Sequence, residues 1–182
     1  MLAGNAAYDP STFFLIQRTA GTGSSASVTF SSIPSTYSHL QIRGIARDTF
    51  ATANLQTGYL TFNSDTSSSY PNHGLVGNGT SVTANGSAAT TDIASISYSG
   101  SAATANSYGA FIIDILDYAS TSKYKTVRIF TGFDSNSGTT TNAVVLRSGL
   151  WMNTSAISSL TLRTGLTAWT TASTFALYGM KG

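Results

Sequence analysis

His39-Leu40-Gln41-Ile42-Arg43-Gly44-Ile45-Ala46-Arg47 alternates apolar and polar residues with a period of two. In an extended strand successive side chains point to opposite faces, so Leu40, Ile42 and Ala46 fall on one side and Gln41, Arg43 and Arg47 on the other. A helix would place its apolar residues three or four apart. The stretch predicts a sheet with one face on a core and one face in water.

The same grammar extends in both directions. Short runs rich in Val, Ile, Phe and Tyr, separated by Ser, Thr, Gly and Asn clusters, predict strands at 13–19, 27–31, 55–63, 93–98, 108–116, 124–133, 142–152, 157–163 and 174–178. The first closes on Gly21-Thr22-Gly23, and the second stops before Pro34. Phe111-Ile112-Ile113 and Val144-Val145-Leu146 are unbroken apolar runs, which predicts burial on both sides. Residues 64–91 are poor in apolar side chains and carry Asn78-Gly79 and Asn85-Gly86, so they predict an elaborated surface loop with room for one short hairpin around Val82. Residues 120–123 have space for a turn only. No heptad, helical stripe or internal repeat is visible. Strands without intervening helices fold as two packed antiparallel sheets. The expectation is an all-β antiparallel β-sandwich, jelly-roll-like, with one long loop insertion. It forms a single domain over residues 1–182, with 1–12 as an N-terminal arm, 64–91 as the loop region, and Trp151 and Phe175 as core anchors.

Composition narrows the function. Only 9% of the 182 residues are charged, there is no glutamate and no cysteine, and serine plus threonine supply 56 positions. An ordinary soluble domain has about 25% charged residues. A net charge of +2 is too small to imply nucleic acid, despite a pI near 9.0. No apolar run reaches the ~20 residues of a membrane span, and Met1-Leu2-Ala3-Gly4-Asn5 lacks the features of a secretory signal. Without cysteine there are no disulfides, thiol nucleophiles or thiolate zinc sites. A near-neutral, hydroxyl-coated surface repels neighbouring copies poorly, which suits a subunit of a larger assembly.

Chemical motifs are few. Gly21-Thr22-Gly23-Ser24-Ser25-Ala26 matches a dinucleotide-binding pattern, but a strand follows it where the pattern needs a helix N-terminus. Asp114 and Asp117, the closest carboxylates in this part of the chain, are three apart and so lie on opposite faces of a strand, unsuited to paired acid–base work. His39 and His73 are the two candidate bases, and no nucleophile-elbow sequence accompanies them. Asp134-Ser135-Asn136-Ser137-Gly138 spaces Asp134 and Asn136 as a weak calcium loop would, without the bidentate glutamate. Arg43 with Arg47, and Lys123, Lys125 and Arg128, are candidates for steering toward an acidic protein surface. Tyr70 and His73 in the long loop are candidates for contact with a ligand. These readings predict no enzyme and no cofactor.

A family resemblance adds to this. Val28-Thr29-Phe30-Ser31-Ser32-Ile33-Pro34-Ser35-Thr36-Tyr37, running into His39-Leu40-Gln41-Ile42-Arg43, resembles a segment of small β-sandwich virion structural proteins of tailed bacteriophages. So do Ile113-Asp114-Ile115-Leu116-Asp117-Tyr118-Ala119 with Lys123-Tyr124-Lys125-Thr126, and Gly149-Leu150-Trp151 with Ala156-Ile157 and Ser173-Thr174-Phe175-Ala176-Leu177-Tyr178-Gly179. The resemblance covers about residues 27–47 and 105–182, and it is looser at Tyr70 and at 75–79. It implies a virion protein assembled in the host bacterial cytoplasm, often trimeric, and no catalytic residues. The expected role is a capsid decoration (cement) protein whose partners are its own copies and the major capsid protein or other virion proteins. The alternative is a tail fibre or receptor-binding tip, where Tyr70 and His73 would meet a host glycan.

Overall fold

The structure, a computed structural model, describes residues 12–135 and 142–181. Residues 1–11 of the expected N-terminal arm lie outside the described residues. The strands are β1 (Phe13–Ala20), β2 (Ser27–Phe30), β3 (His39–Ala46), β4 (Leu55–Phe62), β5 (Asn72–Gly77), β6 (Val82–Ser87), β7 (Ile93–Ser99), β8 (Gly109–Leu116), β9 (Lys125–Phe133), β10 (Ala143–Trp151), β11 (Leu160–Arg163) and β12 (Thr174–Met180).

Four antiparallel pairs are nested, β1 with β12, β2 with β11, β3 with β8 and β4 with β7. Such pairing describes one long two-stranded ribbon. Rolled up, it places alternate strand pairs in two facing sheets, β1-β12-β3-β8 and β2-β11-β4-β7, joined through β12–β3 and β11–β4. This is the jelly roll expected from the sequence. Two hairpins are inserted into it, β5–β6 between β4 and β7, and β9–β10 between β8 and β11. They add to one sheet only, which becomes eight strands in the order β1-β12-β3-β8-β9-β10-β5-β6 against a four-stranded partner.

The β5–β6 hairpin is the one expected around Val82, but it corrects the reading of the rest of 64–91 as loop: residues 72–77 and 82–87 are ladder strands of the large sheet. The Asn78-Gly79 signal did mark the turn. Gly79 takes φ +91°, and Asn78 Oδ1 accepts from the amides of Thr80 and Ser81 at 3.0 and 2.9 Å. What hid the strands was their setting. All six residues of β6 are exposed at the sheet edge, so no apolar alternation was imposed on them. Asn85-Gly86, by contrast, is strand and not turn.

One core fills the space between the sheets. The inward residues of β3 and β8, Leu40, Ile42, Ile113 and Ile115, are fully buried, as the period-two pattern predicts. Two aromatic groups anchor it. Phe62, Tyr70 and Trp151 pack at centroid separations of 5.5 to 6.4 Å, and Tyr98, Trp169 and Phe175 at 4.7 to 5.2 Å. Trp151 and Phe175 are therefore core residues as expected. Gly149 is required where β7 passes beneath β10, since a Cβ there would come 2.8 Å from the Ile93 side chain.

Candidate functional site

The outer face of the eight-stranded sheet is the most unusual surface of the molecule. Register lines its outward residues into rows across the strands. One row runs Arg43, Ile112, Phe130, Leu146, Leu75, Ala84. The next runs Ile45, Ala110, Gly132, Val144, Gly77, Val82. This apolar band corrects the expectation that 111–113 and 144–146 are buried on both sides. Phe111, Ile113 and Val145 are buried, but Ile112, Val144 and Leu146 are 37%, 54% and 57% exposed because no second layer covers this side among the described residues. Ile45, Leu75, Val82, Ile112, Phe130, Val144 and Leu146 are each more than a third exposed on this one face, and a contiguous apolar patch of this kind marks a site of interaction.

The band is not flat. A hollow of about 640 Å³ lies toward β1, lined by Leu15, Arg18, Arg43, Ile45, Ile112 and Phe130. A second of about 640 Å³ lies toward β6, lined by His73, Leu75, Ala84, Arg128 and Leu146. A polar row borders the band: Tyr178, Gln41, Asp114, Arg128, Ser148, His73. Asp114 is the only carboxylate carried by the eight strands. Gln41 Nε2 donates to its Oδ1 at 2.7 Å, and Arg128 Nη2 lies 3.7 Å from its Oδ2. Arg43 stacks over Phe13 at 4.9 Å and donates from Nε to Gln41 Oε1. With Arg18, Arg43 and Arg128 exposed around one compensated acid, the face is apolar at its centre and positive at its border.

Of the residues singled out from sequence, the structure brings Arg43, Arg128 and His73 to this face. It corrects three others. Arg47 is buried, because the chain turns inward at the end of β3. Its guanidinium donates to the carbonyls of Ser101, Ala103, Thr104 and Ser107 at 2.9 to 3.0 Å, clamping the β7–β8 loop. Lys125 is also buried, its Nζ donating to the carbonyls of Lys123 and Thr154 at 2.9 and 2.8 Å, and burial pushes it below the ordinary lysine range. Tyr70 is a core residue whose hydroxyl donates to the Asp65 carbonyl at 3.0 Å, and burial pushes it up to about 12. It is not available to a glycan. Lys123 is exposed away from the sheet and pairs with Asp117 at 2.8 Å, a contact that holds the Asp117 carboxyl below its usual range.

Asn136 of the calcium candidate lies outside the described residues; Asp134 is exposed just after β9. Among the described residues no group of three His, Cys, Asp or Glu could hold a metal, and no helix is long and apolar enough to cross a membrane. Other carboxylates have structural partners. Asp65 accepts from Trp151 Nε1 at 2.7 Å and is lowered to about 2 by hydrogen bonding, from Ser67 first and Trp151 second. Asp92 pairs with Arg163 at 2.5 Å. Buried Asp48 accepts from the Phe50 amide at 3.0 Å and is raised chiefly by desolvation.

Sequence reading missed Leu75, Ile112, Phe130, Val144 and Leu146 as surface residues. The signal was present as contiguous apolar runs in a chain otherwise so rich in hydroxyls, but a run alone does not say whether its second face meets a core or a partner. Comparison with known protein families, with curated proteins and with solved structures finds no match to this chain.

Proposed function

We propose that this chain is a structural protein of a tailed-phage particle, a decoration protein that lays the outer face of its large sheet on neighbouring shell subunits. The observation that supports this reading best is the apolar band with its arginine border. A face of this size is costly to leave in water, at about 25 cal/mol per Å² of apolar area. Docking removes that cost without any chemical step. The single, already compensated carboxylate on the strands favours a shell surface that is apolar with acidic residues around it, since such complementarity speeds encounter and fixes orientation. The resemblance of residues 27–47 and 105–182 to phage virion proteins supports the same reading.

In this account the chain acts in many copies, arranged as symmetric trimers. Quantitative mass spectrometry of purified particles tests it. Copies in the hundreds per particle are expected, and a dozen or fewer would overturn the decoration role. Sedimentation of the isolated protein reads the oligomer: a trimer is expected, and a monodisperse monomer contradicts that part.

A further inference from the structure

The four-stranded sheet ends at β7, which packs under β10, but the large sheet continues past it through β5 and β6. The inner face of this overhang faces no sheet. A cleft of about 370 Å³ opens there, between β6 and the β4–β7 edge, and Arg147 of β10 lines it. Arg147 Nη1 donates to Asn72 Oδ1 at 3.1 Å, while its Nε is buried and makes no hydrogen bond. Among the described residues Arg147 joins no ion pair, and the one acid on the cleft wall, Asp92, is taken by Arg163. A half-buried guanidinium without a counter-ion carries a desolvation cost that an anion would offset.

Around it stand polar groups with unused capacity. Thr57, Tyr59, Asn85 and Ser87 line the cleft, and none of their side chains makes a hydrogen bond among the described residues. We propose that this cleft binds a sugar acid, a uronic- or sialic-acid residue. Arg147 takes its carboxylate in charge-assisted hydrogen bonds, and the hydroxyls and Asn85 take its ring substituents. One uncompensated cation matches one carboxylate and falls short of a phosphate dianion. The amide and hydroxyl walls suit a polyol better than a peptide side chain, and the volume is within the range of small-molecule sites, about 300–1,000 Å³. The inference stands apart from the virion reading and does not depend on it.

The test is NMR and calorimetric titration of the full chain with glucuronate and N-acetylneuraminate, beside glucose, inorganic phosphate and N-acetyl-aspartate amide. At least one sugar acid is expected to bind in the millimolar range, shifting the amides of residues 57, 59, 85, 87 and 147, while the three controls leave them unmoved. The methyl glycosides of both acids distinguish a glycan terminus, which they mimic, from the free acid. Arg147→Met should weaken binding roughly ten- to a hundredfold, the effect of losing a charge-assisted contact. Asn85→Asp, on the exposed edge strand, places a competing carboxylate on the wall and should weaken binding whether or not the Arg147 variant folds. No shift from either acid, equal shifts from glucose, phosphate or the aspartate amide, or a folded variant that binds as the parent does would overturn the proposal.

Discussion

Arg43 and Arg47 lie four residues apart, and the alternation of β3, carried one residue past its end, assigns them the same wet face. They end in opposite environments. Arg43 stays on the outer sheet face over Phe13, while Arg47 is drawn in to satisfy four loop carbonyls that no strand partner reaches. Sequence periodicity holds only while the strand does, and Arg47 is the first residue past β3. Arg47→Ala should cost about 3 kcal/mol in denaturant unfolding, since it leaves buried carbonyls unpaired. A loss under half a kcal/mol would mean that water replaces the guanidinium freely. Asp65 gives a pH signature. Its folded value of about 2 lies below the ordinary carboxylate value of about 3.9. Its contribution is therefore complete above about pH 4 and is lost as pH falls toward about 2. Asp65→Asn should flatten that acid limb of the melting profile and lower Tm at neutral pH; a limb that stays unchanged would remove Asp65 from this role. Nothing in the sequence around Asp65 indicated the bond to Trp151, because the two are 86 positions apart.

At the scale of elements, strands such as β3, β8, β9 and β12 were legible because each presents one face to the core and so alternates, and β7 was legible as a short apolar run. β5 and β6 were legible only as room for a hairpin around Val82, because the buried positions of β5 are Asn72 and Gly74, which carry no apolar signal, and β6 is exposed throughout. The exposed band was misread for the converse reason: Ile112, Val144 and Leu146 are apolar on a face that no layer covers. Hydrogen exchange on dilute protein should follow the layering, with β3 and β8 amides slowest and the β6 edge fastest. Protection of β6 equal to that of β8 would show that the edge is covered. The core anchors behave as large buried aromatics: Trp151→Ala or Phe175→Ala should each cost ~3–5 kcal/mol. Unchanged melting of either variant would contradict the packing of β10 or β12 on the small sheet.

For the whole molecule, the placement of its apolar surface is the decisive feature. The rolled ribbon builds a closed core, and two inserted hairpins widen one sheet until its outer face is large enough to meet a partner. The location of the exposed apolar face depended on the register of distant strands, which spacing along the chain does not disclose. The double variant Phe130→Ser with Leu146→Asp changes only outward side chains, so folding stability should move by no more than about 0.5 kcal/mol. The direct measurement is co-sedimentation of this variant and the parent chain with phage particles stripped of decoration. The account predicts that the parent binds to saturation and that the variant, folded and of unchanged Tm, stays in the supernatant. A variant that pellets with the particles as the parent does would contradict the assignment of this face.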